Sequence, residues 1–132
     1  MNQSSSITSD QETSIESTDD FNAEEFVKGE QELRYQTSNS SGTSTSGIFV
    51  LTFHNGAVVG RRIKQKQNDN DIPPETSAVD GYLLGRKLKL FREVRSDNVV
   101  QICDVERDGN TFRGRYYNIG GNNDNGNITI GW

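Results

Sequence analysis

Asn55-Gly56 stands between two alternating apolar runs, Ile48-Phe-Val-Leu-Thr-Phe53 and Val58-Val-Gly-Arg-Arg-Ile63. Asn-Gly tolerates the positive φ that a two-residue type I′ turn needs at both central positions, so this stretch commits the chain to an antiparallel hairpin. Asp108-Gly109 repeats the arrangement between residues 99–105 and 112–117, and Gly85-Arg86 does so between 79–84 and 88–91. With residues 32–36 in front and 127–132 behind, the count reaches about eight short strands, which suits a small closed up-and-down barrel. The expected fold is all-β, an eight-stranded antiparallel up-and-down β-barrel. Asn55-Gly56 is followed by Val59-Gly60-Arg61 and Asp108-Gly109 by Arg113-Gly114-Arg115. In both copies the mid-strand glycine marks a bend or a close backbone approach.

The chain in front of the barrel reads differently. Residues 1–32 hold nine acids against Lys28, a charge of −8; the 132-residue chain carries −5 in all, which leaves +3 for residues 33–132. Ser, Thr, Asp and Glu dominate, so residues 1–31 are expected to be a disordered acidic tail ahead of a barrel domain at 32–132. Asp20-Phe-Asn-Ala-Glu-Glu-Phe-Val-Lys28 has an N-cap residue and a following Gly29, compatible with a short helix over 20–28. Ser9, Thr13 and Ser17 each precede an acid by three residues, a spacing shared by capping boxes and acidophilic kinase sites.

In a meander successive connections alternate between the two barrel ends. The three tight turns therefore share one end. Residues 37–46, 66–77, 96–98 and 118–126 gather at the other, which is expected to be the open, long-looped, functional end. Two polar segments there, Asn68-Asp-Asn-Asp71 and Asn122-Asn-Asp-Asn-Gly-Asn127, contain oxygen donors that suit calcium, but neither has EF-hand spacing and both read as ordinary loop composition. Arg61, Arg62, Lys64 and Lys66 on one strand, Arg86, Lys87, Lys89, Arg92 and Arg95 further on, and Arg113 with Arg115 form a basic barrel wall. From that wall Arg61, Arg62, Lys64, Arg86, Arg113 and Arg115, with Tyr116 and the loop residues Asn123 and Asp124, make up the candidate ligand- or partner-binding set.

Ser46-Gly-Ile-Phe-Val-Leu-Thr-Phe-His-Asn-Gly-Ala-Val-Val-Gly-Arg61 resembles the second and third strands of avidin-like barrels. Thr111-Phe-Arg-Gly-Arg-Tyr116, a Gly/Asn loop and Ile128-Thr-Ile-Gly-Trp132 are similar to a later pair. The resemblance implies an avidin- or lipocalin-like (calycin-type) architecture. Biotin binders of that family use tryptophans and a Tyr/Ser pair on the third strand. Arg62 and Lys64 stand where that pair would fall, and the single tryptophan is Trp132, so biotin binding is not implied.

The single histidine, His54, abuts a turn with no nucleophile evident beside it, which argues against general-base catalysis. The single cysteine, Cys103, rules out an internal disulfide and is compatible with a reducing, cytoplasmic setting. Sequons at Asn2, Asn39 and Asn127 occur without a secretory signal, and no apolar run would span a membrane. No cofactor or metal is called for. A sequence pI of about 4.8 argues against nucleic acid. The leading expectation is a non-enzymatic binding or interaction module acting through its long-looped end or its basic wall. Its partner would be a protein, a second copy of the chain, or a small molecule, an anionic ligand among them. The alternatives are a small-molecule carrier with an internal cavity and a calycin-like isomerase or cyclase.

Overall fold

A computed structural model of the protein describes residues 27–94, 98–121 and 124–132. Residues 1–26 of the expected tail, the expected helix apart from Val27 and Lys28, Arg95 and Asn123 lie outside these residues. Val27 and Lys28 are not helical, and the barrel begins at Gly29 rather than at residue 32, because residues 29–31 pair with β2. The chain forms eight strands in order: β1 (Gly29–Asn39), β2 (Ser44–His54), β3 (Ala57–Gln67), β4 (Asn70–Leu84), β5 (Lys87–Val94), β6 (Val99–Asp108), β7 (Thr111–Ile119) and β8 (Asn125–Gly131). Each pairs antiparallel with the next, and β8 returns to β1 with Tyr35 opposite Ile130, closing the barrel. Closure gives every strand a partner on both sides, although residues 70–79 of β4 lie outside the β5 pairing. None of the described residues forms a helix long and apolar enough to cross a membrane.

The turns follow the backbone preferences of their residues. Asn55 and Gly56 both take positive φ, 51° and 85°, as a type I′ turn requires. Gly85 and Gly109 supply a positive φ at the first position of their two-residue turns, with Leu84 opposite Lys87 and Asp108 opposite Thr111. A fourth tight hairpin corrects the expectation of a long loop at 66–77. Gln67 pairs with Asn70, and Asn68 and Asp69 turn the chain at φ 52° and 65°. The stretch carries Pro73-Pro74. Its prolines are tolerated because Ile72, Pro73 and Pro74 fall in a register slip, between Lys64↔Glu75 and Lys66↔Asp71, on a part of β4 that lies outside the β5 pairing. The 37–46 connection likewise shrinks to residues 40–43, folded around Asn39, whose Oδ1 accepts from Ser41 N, Ser41 Oγ and Thr43 N. The four connections do share one end, as the meander requires, but they are short.

Alternation sorts the side chains. Leu33, Leu51, Phe53, Val58, Leu83, Leu88, Val105, Phe112 and Ile130 turn inward and pack the end that carries Asn55-Gly56, Gly85-Arg86 and Gly109-Asn110. Trp132 lies against Phe112 at 6.0 Å between ring centroids, with the Arg107 guanidinium 5.1 Å from its own ring and its Nε1 donating to Gln31 Oε1 at 3.0 Å. This end of the barrel is filled. The other end is built differently.

Candidate functional site

The inward alternation of the hydrophobic half continues toward the mouth, but the residue types change. On β3 the series Val58, Gly60 runs on to Arg62; on β5 Leu88, Leu90 runs on to Arg92; on β6 Val105, Cys103 runs on to Gln101. Two guanidiniums therefore enter the barrel. Arg62 is only 9% exposed. It packs 5.7 Å from the centroid of Tyr35, which in turn lies 5.1 Å from Phe49. Its Nε is buried without a hydrogen-bond partner among the described residues. The Tyr35 phenol is in the same condition: its oxygen lies toward Thr45, whose hydroxyl is engaged with Thr37 Oγ1 at 2.6 Å, and finds no partner in bonding geometry.

Arg92 is held rather than loose. Its Nη2 and Nε donate to Gln101 Oε1 at 2.9 and 3.3 Å, and its Nη1 donates to Ser77 Oγ at 3.4 Å. Gln101 donates onward to Asn118 Oδ1 at 3.4 Å. Ser77 is also the register partner of Arg62, so the two arginines flank one serine from the strands on either side of β4. Both ion pairs resolved among the described residues, Lys66–Asp71 and Arg113–Asp108, lie on the exterior. The acceptors around Arg62 and Arg92 are neutral.

The electrostatics follow from this crowding. Burial, and then the neighbouring Arg62, hold the Arg92 guanidinium down to about 10. Burial pushes the Cys103 thiol up to about 11, against the pull of the two arginines. Tyr35 is raised by burial, opposed chiefly by Arg62. Tyr116 is pushed up to about 12 by burial and then by Asp124, whose carboxylate accepts its hydroxyl at 3.2 Å and Asn39 Nδ2 at 3.1 Å. The two tyrosines and the thiol thus stay protonated at neutral pH; the Tyr116 hydroxyl is given to Asp124 and Cys103 is buried, which leaves Tyr35 as the phenol donor without an acceptor.

Cys103 supplies a test of this placement. Its folded pKa lies above the ordinary 9.0, so the stability tied to its proton is complete below pH 9 and is lost as pH climbs through about 11. Two units correspond to roughly 2–3 kcal/mol. Tyr35 and Tyr116 act in the same sense, and Arg92 in the opposite one, above pH 10. In urea titrations at pH 9, 10 and 11, Cys103→Ala is expected to show a smaller alkaline loss of stability than the unsubstituted protein. Parallel pH profiles would show that the thiol is not sequestered.

The structure scatters the basic wall. Arg61 is exposed on the outer face, while Arg62 beside it points in. Lys64 follows on the inward face, half-buried at the rim, with its Nζ donating to Gln67 Oε1 at 2.9 Å. Arg113 and Arg115 lie outside, where register sets them across from Glu106 and Asp104, which in turn oppose Lys87 and Lys89. That wall alternates in sign. Arg86 lies at the filled end, donating to the Arg107 carbonyl at 2.8 Å. Of the candidate set, the mouth gathers Arg62, Lys64, Tyr116 and Asp124. Arg92, Tyr35, Ser77 and Gln101 were not in that set. Carrying the parity of Leu88 and Leu90 two residues further along β5 would have found Arg92. A groove of about 650 Å³ on the outer wall has Glu32, Arg34, Lys66 and Asp69 among its lining and favours neither sign.

Fold and mouth together define the class: a closed eight-stranded antiparallel barrel, apolar and filled at one end, polar and cationic within at the other. The chain matches no protein-family model, no curated protein and no solved structure, so this class is defined by its own strand geometry.

Proposed function

We propose that the protein is a non-enzymatic binding module that takes the anionic end of a small ligand into the barrel mouth, against Arg62 and Arg92. The observation that supports this is the buried Arg62 guanidinium, whose Nε has no partner and whose charge no described carboxylate pairs. Burying such a group costs several kcal/mol unless something compensates, and a ligand oxyanion is the natural compensation. A binding role suits donors that stay protonated at neutral pH better than proton transfer does. It also suits an avidin- or lipocalin-like barrel, whose open end admits the ligand. Carriage of a wholly apolar ligand is disfavoured, because Phe49, Leu51, Leu90 and Phe112 fill the interior beneath the polar layer.

Amide chemical-shift mapping tests the reading with two probes, benzoate and phenyl phosphate. Shifts centred on Tyr35, Arg62, Ser77, Arg92 and Gln101 are expected for at least one probe. Shifts confined to the outer wall around Arg113 and Arg115, or none with either probe, would overturn it.

A further inference from the structure

We infer that the mouth is built for a doubly charged tetrahedral oxyanion, the phosphate of a monoester or free phosphate, in preference to a singly charged carboxylate. This rests on the anion-binding reading above and adds to it the ligand's charge and shape.

Charge is the first argument. Arg62 and Arg92 bring two positive charges into the barrel and meet neutral acceptors only. Near the rim, Asp124 is bonded by Tyr116 and Asn39, and Glu75, on β4, acts on Arg92 only as the weakest of its charge influences and forms no ion pair with it among the described residues. A monocarboxylate would leave one guanidinium uncompensated in a poorly solvated site, whereas a dianion neutralises both.

Donor geometry is the second. Arg62 Nε on β3 and Tyr35 Oη on β1 are buried donors with no acceptor, and Arg92 approaches from β5. Donors arriving from three strands around a closed barrel suit oxygens disposed tetrahedrally. A planar carboxylate has acceptor sites enough but holds them in one plane, so a donor arriving from outside that plane is left poorly aligned. Depth is the third. Phe49 and Leu90 close the space beneath, so only a head group enters and any ester substituent leaves through the rim past Tyr116 and Asn118.

Calorimetry on the full chain with phenyl phosphate, inorganic phosphate and benzoate, at pH 7.5 and pH 5.0, tests the assignment. Both phosphates are expected to bind at least about tenfold more tightly than benzoate at pH 7.5 and to weaken at pH 5.0, phenyl phosphate about tenfold because the second proton of a monoester binds near pH 6, and inorganic phosphate by more because it takes that proton at higher pH. The groups facing the mouth do not mimic that loss. Tyr35, Tyr116 and Cys103, all raised, keep their protons at both pH values, and Arg92, at about 10, keeps its charge. The other charged groups that face the mouth are Arg62, Lys64, Glu75 and Asp124, and less negative charge on either carboxylate would tighten anion binding, not weaken it. Tyr35→Phe keeps the ring under Arg62 and is expected to weaken the phosphates about 3- to 10-fold. Tighter binding of phenyl phosphate would name a monoester as the source, and tighter inorganic phosphate the free ion; either supports a dianion. Benzoate binding as tightly as the phosphates, or phosphate affinity equal at the two pH values, would overturn the dianion while leaving the anion site standing. Mouth shifts from no probe would remove both. Should Tyr35→Phe fail to fold, the unsubstituted protein's pH arm decides alone.

Discussion

Gly60→Ala is expected to cost the barrel about 3 kcal/mol or more, and Gly60→Val to leave it unfolded. Gly60 faces inward on β3, between Val58 and Arg62. A Cβ there would fall inside the van der Waals contact of the Val50 carbonyl oxygen and within 2.9 Å of Leu51 Cα. These are backbone atoms of a paired strand, so relief requires β2 and β3 to separate where the barrel bends. Overpacking of this kind costs about 1–3 kcal/mol even where side chains can yield, out of a typical stability of roughly 5–15 kcal/mol. Gly109 makes the contrast. Its φ is +65°, yet nothing stands within 4 Å of its would-be Cβ. Gly109→Ala is therefore expected to cost about 1 kcal/mol, from backbone conformation alone. Urea unfolding followed by the fluorescence of Trp132 compares the two. A loss below 1 kcal/mol for Gly60→Ala would mean that the strands do not approach as described.

Arg62→Met is expected to move stability and binding in opposite directions. Methionine keeps an unbranched apolar stem in contact with Tyr35 and removes a charge whose Nε is buried and unpartnered. Exchanging a buried, poorly compensated charge for an apolar side chain of similar volume typically gains about 1–4 kcal/mol. The guanidinium's stacking on Tyr35, about 1–2 kcal/mol, offsets part of that. A net gain of about 1 kcal/mol in ligand-free stability is the expected balance, with phenyl phosphate affinity down roughly 100-fold, as loss of a desolvated charge–charge contact implies. A variant both less stable and unchanged in affinity would show that Arg62 belongs to the core and not to a site. The trade is what a binding site held ready in the absence of its ligand should show, because the groups that will meet the ligand are strained by its absence.

Much of the architecture could be read locally. Asn55-Gly56, Gly85-Arg86 and Gly109 turn the chain because the conformations those turns demand are cheap for Asn and Gly and costly for most other residues, and that preference acts within two residues. Alternation in 48–53 and 99–105 fixed which side chains share a face, and eight such runs separated by tight turns left a meander barrel as the economical solution. The glycines at 60 and 114 were legible as close approaches for the same reason. The hairpin at Asn68-Asp69 was not legible, because the prolines at 73 and 74 lack a ladder donor and are tolerated within β4 only at a register slip, on a stretch outside the β5 pairing. Local chemistry cannot reveal which neighbour is missing.

The mouth was legible only in fragments, and Arg62 and Arg61 show why. Adjacent in sequence and identical in type, they differ only in parity, and parity acquires meaning once β8 has paired with β1 and given the sheet an inside. Ser77, Arg92, Gln101 and Tyr35 come from four strands, and nothing in any one strand brings them together. Turn positions and strand count follow from interactions a few residues long, so they can be read along the chain. The convergence of two guanidiniums with no ion pair to a carboxylate among the described residues depends on closure and cross-strand register, which are set by contacts between distant residues, and only the folded barrel decides it.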